Sequence, residues 1–529
     1  MPTSLSDLPP ELLPALLEPL VRRQDLYNVC LVNREWAACG QSLLYRRISL
    51  FGRDLAIASQ LFHILASNPR LAALVKTLHI RVWPLSLIVK ERLAMEDVAV
   101  KMLTNCVNVE ELVFTRKGSL TDRVFEAITS LPRLRTFELN AHTNLSPGSW
   151  SASHLLDLPP LRSLSLILPD RNIASILPAF LSRQRELLQN SRSEYDSDGV
   201  GGPMLEELSI LCRESTVIND TVVSSLAPVL AHGQLHSLAL AGCPKLTGAP
   251  LLTLLPHLPH LRNLALEACN LDPSFYSAAA PFLTRLESLK LTHPGPRHPT
   301  LPAFFPALES LLEQTKKLRA FTLYHSGASA TGRREWPIVP GDFVEKLAAV
   351  VGDKLRKFEV SGVLIQVEAV EVLTNGATVI RDLVLHLGHE FDLPRLTASF
   401  APLSSLRTLH LLSQRADVSP DDVLTLAEQC APTLSQIGFR NRVWIVRRAV
   451  PPRARSPVPD PDPDDHRAAG PEEPSLQPPA RAKIRLLETA AAFGAFRRNR
   501  YGAEDDVDVD LDLDAGESSS SSSSEDEQE

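Results

Sequence analysis

One spacing, Leu-x-x-Leu-x-Leu, recurs along the middle of this 529-residue chain and restricts its fold more than any other feature. Copies start at Val109, Leu134, Leu161, Leu205, Leu235, Leu261, Leu286, Leu318, Leu355, Ile380, Leu406 and Leu434, with a weaker first copy at Val75. These thirteen starts lie 25 to 44 residues apart, and seven of the twelve gaps are 25 to 28, so one structural unit per copy is required. The last two apolar positions of each copy are two residues apart and face one side of a strand; the first packs in the turn before it. Between strands lie stretches of helical periodicity, among them Val222 to Leu230, Phe343 to Val351 and Val423 to Cys430. Ser419-Pro420-Asp421-Asp422 reads as a capping box with proline at the first helical position. A strand and a helix per copy, neither able to bury its face alone, predict an α/β solenoid over 75–448, with curved parallel sheet inside and helices outside.

Composition narrows the class. Hydrophobic residues make up 44% and aromatics only 5%, so leucine and alanine must fill the core. Seven cysteines without a Cys-x-x-Cys pair point to a reducing compartment rather than a disulfide framework. Asp7, Pro9, Pro10 and Glu11 interrupt any apolar leader, and Lys90 stops the apolar run Leu85 to Val89. A soluble protein of the cytoplasm and/or nucleus, with no membrane contact, is expected. No glycine-rich phosphate loop, Gly-x-Ser-x-Gly elbow or His-Glu-x-x-His helix is present. His257 and His260 sit among Pro256 and Pro259 and read as loop histidines. No catalytic residue, cofactor or metal is expected. The total charge is −8, but Ala503 to Glu529 holds twelve Asp or Glu and no Lys or Arg, which leaves the rest at +4 and makes no case for nucleic acid.

The first fifty residues read as three short helices. They run Leu8-Pro9-Pro10-Glu11-Leu12-Leu13, then Asp25-Leu26, then Leu31-Val32-Asn33-Arg34-Glu35-Trp36, and close on Leu44-Tyr45. Ser6 or Asp7 can cap the first helix, Pro14 is near enough its start to be tolerated, and Pro19 ends it. Asp25 is expected to cap the second. A unit this small cannot bury all its leucines and Trp36 alone, so some must meet another chain or the following domain.

These elements, in this order, resemble the F-box, the helical module that docks a substrate receptor onto the Skp adaptor of a cullin-type ubiquitin ligase. The resemblance covers residues 4–50, and implies that Leu8, Pro9, Leu12, Leu16, Leu31, Val32 and Trp36 form the module's core or its adaptor contact. The sequence does not separate those two roles. The repeats in turn resemble the leucine-rich-repeat family in its cysteine-containing class, which often follows an F-box, through Leu235-x-x-Leu238-x-Leu240-x-x-Cys243 and Leu261-x-x-Leu264-x-Leu266-x-x-Cys269. That resemblance implies a right-handed solenoid in which Cys243 and Cys269 are buried and bond backbone along the stack. Residues 51–74 are expected as a helical cap.

Within the solenoid, stretches 184–203, 293–302 and 325–341 read as loops. Trp336, beside Arg333 and Arg334, has the composition of a binding hot spot, or of a Trp tucked against a neighbouring repeat. The central concave positions run Ser165, Ser209, Ala239, Ala265, Lys290, Thr322, Glu359, Val384 and His410. Their first half is small and smooth. The second half carries Lys290, Tyr324, Glu359, His386, His410 and Arg440, the expected contacts, with Trp336, for an unknown protein substrate. No run of Arg suggests phosphate reading.

After Trp444 the repeat stops, and 449–529 is expected as a disordered tail. Residues 480–496 carry a modest helical pattern. Val507, Val509, Leu511 and Leu513 alternate with aspartates, and seven serines, Ser518 to Ser524, precede an acidic end that suits acidophilic kinases. The expected function is a non-catalytic substrate receptor, binding the Skp adaptor and through it a cullin. The alternatives are a leucine-rich-repeat scaffold outside any ligase, or a Ran-type GTPase-activating protein, which shares only the layout of repeats and acidic tail.

Overall fold

The computed structural model describes residues 10–20, 22–51, 55–83, 89–144, 148–194, 205–213, 215–230, 234–295, 298–325, 336–388, 391–413, 418–439, 442–448 and 484–489, with backbone alone at 10, 188–194 and 484–489. Three short helices open it: α1 (Leu13–Leu17), α2 (Arg23–Cys30) and α3 (Arg34–Arg46). A single sixteen-stranded sheet follows, its strands paired in chain order. They are β1 (Arg47–Leu50), β2 (Thr77–Ile80), β3 (Glu111–Phe114), β4 (Thr136–Asn140), β5 (Ser163–Ile167), β6 (Glu207–Leu211), β7 (Ser237–Ala241) and β8 (Asn263–Glu267). Then come β9 (Ser288–Thr292), β10 (Ala320–Tyr324), β11 (Lys357–Ser361), β12 (Asp382–His386), β13 (Thr408–Leu412), β14 (Gln436–Phe439), β15 (Arg442–Arg448) and β16 (Ile484–Thr489). β1 to β14 are parallel, each reached through a helical crossover; β15 and β16 close the stack as antiparallel strands.

The expected solenoid is present because the repeat spacing and the strand register coincide. Leu238, Leu264 and Leu289 are register partners, as are Leu240 with Leu266, and all are buried. All thirteen copies end in a strand, β2 to β14. Each fully buried leucine contributes about 1.5–3 kcal/mol by leaving water, and stacking the repeats makes that burial continuous. Helices Asp220–Leu230, Gly341–Val351 and Pro420–Gln429 lie where the periodicity placed them. Ser419 and Asp422 make the reciprocal capping box.

Leaving each strand, the chain turns sharply. The residue after the strand takes a left-handed backbone at Leu168, Gly242, Ala268 and Gly362, with φ of 52°, 69°, 50° and 70°. Just beyond, Cys269 donates its thiol to the carbonyls of Glu267 (3.5 Å) and of Leu240 in the preceding repeat (3.6 Å). Cys243 donates to Ala241 O at 3.5 Å and is fully buried, whereas Cys269 is only half-buried.

Four expectations need correction. The sheet starts at β1, not at Val75, because Tyr45-Arg-Arg-Ile48-Ser-Leu50 is itself a repeat whose first apolar position is the tyrosine that closes α3. The α2 helix begins at Arg23, so Asp25 stands in its first turn instead of capping it. Residues 184–194 continue the helix Arg171–Glu194, since Gln-Arg-Glu-Leu-Leu-Gln favours helix and Gln184 is buried, accepting from Leu161 N–H at 2.8 Å. Within 480–496, residues 484–489 form β16 along β15, whose edge offers unpaired backbone groups that a helix would leave unused. Residues 195–204 and 326–335, in two expected loops, lie outside the described residues. No helix among the described residues is long and apolar enough to cross a membrane.

Candidate adaptor and target interfaces

In the N-terminal helices the buried and exposed leucines separate cleanly. Leu13 and Leu17 of α1 and Leu26 and Val29 of α2 are buried, and both helices pack on α3. Gly40 lets α3 approach α2: a β-carbon there would stand 2.8 Å from Cys30 Sγ and 3.0 Å from Val29 Cγ1. Asn33 caps α3 by accepting from the Trp36 N–H at 2.9 Å. Leu12 (54% exposed), Leu16, Tyr27, Leu31 (68%) and Val32 all face outward.

Leu12, Leu16, Leu31 and Val32 are therefore surface residues, not core; Trp36 is half-buried; Leu8 and Pro9 lie outside the described residues. Tyr27 is an outward apolar residue that the motif reading missed. Its signal was the i, i+4 spacing to Leu31. Five exposed apolar side chains on a unit of some forty residues are more than scattered surface leucines and suit contact with another chain. No linker separates this unit from the repeats: α3 ends at Arg46 and β1 begins at Arg47, whose carbonyl accepts from Arg23 Nη2 at 3.4 Å.

The concave-face candidates sit where the strand pattern placed them, but several are closed off. Lys290, Thr322 and Glu359 are successive register partners, as are Val384 and His410. Glu359 is 2% exposed and ion-paired with Lys357 at 3.2 Å; His386 and His410 are also buried. Lys290 pairs with the buried Glu267 of β8 and stands 5.9 Å from the ring centre of Tyr324; both Lys290 and Tyr324 are half-buried. Trp336 packs edge-on against His386, ring centres 4.7 Å apart, so it is tucked against a neighbouring repeat. Two residues on, Ile338 is exposed. Arg440 lies outside the described residues. No group of three or more His, Cys, Asp or Glu among the described residues is placed to hold a metal.

Comparison with known proteins adds to this geometry. Residues 5–51 match the family model described as F-box-like. No curated protein matches the chain. Among solved structures, the chain is similar to the yeast Rad7 and Elc1 complex at 16% identity, covering 72% of this chain and 87% of that one, with a TM-score of 0.44. It is also similar to the leucine-rich-repeat-containing protein LegL7 from Legionella pneumophila (14% identity, 65% and 92% covered, TM-score 0.34). An internalin from Listeria monocytogenes matches at 18% identity over 64% of this chain and 76% of that one, TM-score 0.29. The chain carries an F-box-like domain over residues 5–51, joined directly to a solenoid of strand–helix units with leucine-rich strands.

Proposed function

We propose that this chain is the substrate-recognition subunit of a cullin-type ubiquitin ligase, held by a Skp-type adaptor and working in the cytoplasm and/or nucleus. The observation that carries this reading is that Leu12, Leu16, Tyr27, Leu31 and Val32 are exposed on an F-box-like domain whose Leu13, Leu17, Leu26 and Val29 are buried. Burying such side chains against an adaptor recovers about 1.5–3 kcal/mol for each one fully covered. The role is positional, and no side chain of this chain transfers ubiquitin. Because α3 runs straight into β1, an adaptor on the F-box-like domain and a target on the sheet keep a fixed relation, which raises the effective concentration of target lysines. Lys290, Tyr324 and Trp336, with the exposed Ile338 two residues after Trp336, are the proposed target contacts. Gel filtration of the full chain with a Skp adaptor and a cullin tests the assembly. A ternary peak is expected; an adaptor complex that never takes up cullin would make the chain a scaffold instead.

A further inference from the structure

The residue just before each strand forms a column of its own. From β9 onward it runs Glu287, Arg319, Arg356, Arg381, Arg407, each N–H donating to the preceding member's carbonyl at 2.7 Å. Earlier in the solenoid most basic members of this column are neutralised sideways, and Arg135, which makes no such pair among the described residues, follows Glu110 in the column. Lys76 pairs with Glu110 at 2.8 Å, Arg162 with Glu206 at 2.9 Å, and Arg262 and Arg319 share Glu287 at 4.0 and 3.5 Å. Beyond Glu287 the column holds no further acid. Arg356, Arg381 and Arg407 make no side-chain ion pair or hydrogen bond among the described residues. Strands are about 4.8 Å apart, so four guanidinium groups are rooted within about 15 Å. Lys316, Lys317, Lys354 and Lys357 flank them in the sequence, Lys354 paired with Asp353 at 3.3 Å and Lys357 with the buried Glu359 at 3.2 Å, and Asp382 follows Arg381. Like charges side by side oppose folding and favour any polyanion that lies across them.

We propose that the acidic segment 503–529 of this same chain docks in cis along Arg319, Arg356, Arg381 and Arg407. Its twelve carboxylates have no Lys or Arg among them, and in this column Arg356, Arg381 and Arg407 follow one another with no acid between them, Arg319 at its head already sharing Glu287. The reach is sufficient. β16 ends at Thr489, level with Gly438 of β14 and so about 10 Å along the strands from the column, three strands from β13 and six from β10, or about 17 to 31 Å away in all. The fourteen residues from Thr489 to Ala503 span up to about 46 Å when extended. Tethering holds the tail at an effective concentration near millimolar, enough for contacts that are weak one by one. Docked there, it screens that edge from other anionic chains. Phosphates on Ser518 to Ser524 each add about −1.5 to −2 charges and tighten the contact.

Zero-length carbodiimide coupling of the full chain, read by mass spectrometry of the monomer band, tests this. Tail carboxylates are expected to couple to Lys316, Lys317, Lys354 and Lys357 at least about fivefold more than to the exposed Lys101 and Lys245. Raising salt to about 0.5 M removes that preference, because the contact is ionic and screened. The variant Arg356→Glu, Arg381→Glu, Arg407→Glu loses it while keeping the wild-type unfolding temperature. If charge reversal prevents folding, Arg→Gln at the same three positions gives the same reading. Equal coupling at all lysines, coupling unchanged in the variant, or coupling confined to a dimer band would each overturn the proposal.

Discussion

The imidazole of His410 packs so closely on Gly438 that a β-carbon at Gly438 would stand 2.8 Å from ring atoms Cγ and Cδ2. The two are register partners on β13 and β14, and Gln436 donates its side-chain amide to His410 Nε2 at 2.9 Å. Burial holds this imidazole below the usual histidine pKa. Gly438→Ala therefore forces the ring aside and should cost about 1–3 kcal/mol in urea unfolding. Adding His410→Ala should restore part of that loss; two independent, additive losses would show that the ring is not what the β-carbon meets.

The turns after the strands give an opposite-signed pair. At Gly242 (φ 69°) a β-carbon would lie 2.1 Å from the Cys212 carbonyl oxygen, so Gly242→Ala should lower stability by at least about 1–2 kcal/mol. Ala268 takes the same backbone at φ 50° with its β-carbon in place. Ala268→Gly relieves that strain and should leave stability unchanged or raise it by up to about 1 kcal/mol, less the entropy glycine adds to the unfolded chain. Equal losses at both positions in calorimetry would contradict this reading of the turn.

Acid should weaken the solenoid through His293. Its ring is buried among Phe304 and Phe305, ring centres 5.4 and 5.6 Å away, and Nδ1 accepts from Gly295 N–H at 3.0 Å. Burial, with His325 nearby, pushes its pKa down to about 4. The unfolded chain takes up the proton near 6.5 and the folded chain only near 4, so the neutral ring's contribution is complete above about pH 6.5 and is lost as pH falls toward 4. The full effect is on the order of 3 kcal/mol. His293→Phe should flatten the wild-type slope of stability between pH 4 and 6.5; an unchanged slope would assign it to other groups.

Two adjacent leucines of the F-box-like domain should behave differently. Leu13 is 1% exposed, and Leu13→Ala should cost about 2–5 kcal/mol of that domain's stability. Leu12 faces outward, and Leu12→Ala should change stability by no more than about 0.5 kcal/mol. Hydrogen exchange across α1 to α3 reads both; a comparable loss of protection in the two variants would mean that Leu12 belongs to the core.

The solenoid was legible because its signal is periodic: each inward leucine of the thirteen copies lands in register. What escaped was local. The first strand was hidden because Tyr45, read as the end of one module, also serves as the first position of a repeat. Alternation told which side chains face the concave side, but not that Glu359 and His410 are buried there, since burial depends on what lies across strands and loops. The arginine column lay in plain view as Leu318-Arg319, Leu355-Arg356, Ile380-Arg381 and Leu406-Arg407. No two of these arginines are close in the sequence, so only the strand register, which stacks the residues preceding successive strands, brings them together. In the F-box-like domain, residue types gave the motif, while only packing could divide Leu12 from Leu13.

The most direct test of the receptor reading is the affinity of the full chain for a Skp adaptor, measured by calorimetry for wild type and for Leu12→Ala, Leu16→Ala, with thermal unfolding run on both. Wild type should bind, and the double variant should bind at least about tenfold more weakly with an unchanged unfolding temperature, because both side chains lie outside the core. Equal binding by both proteins, or none by folded wild type, would contradict an adaptor contact at this surface.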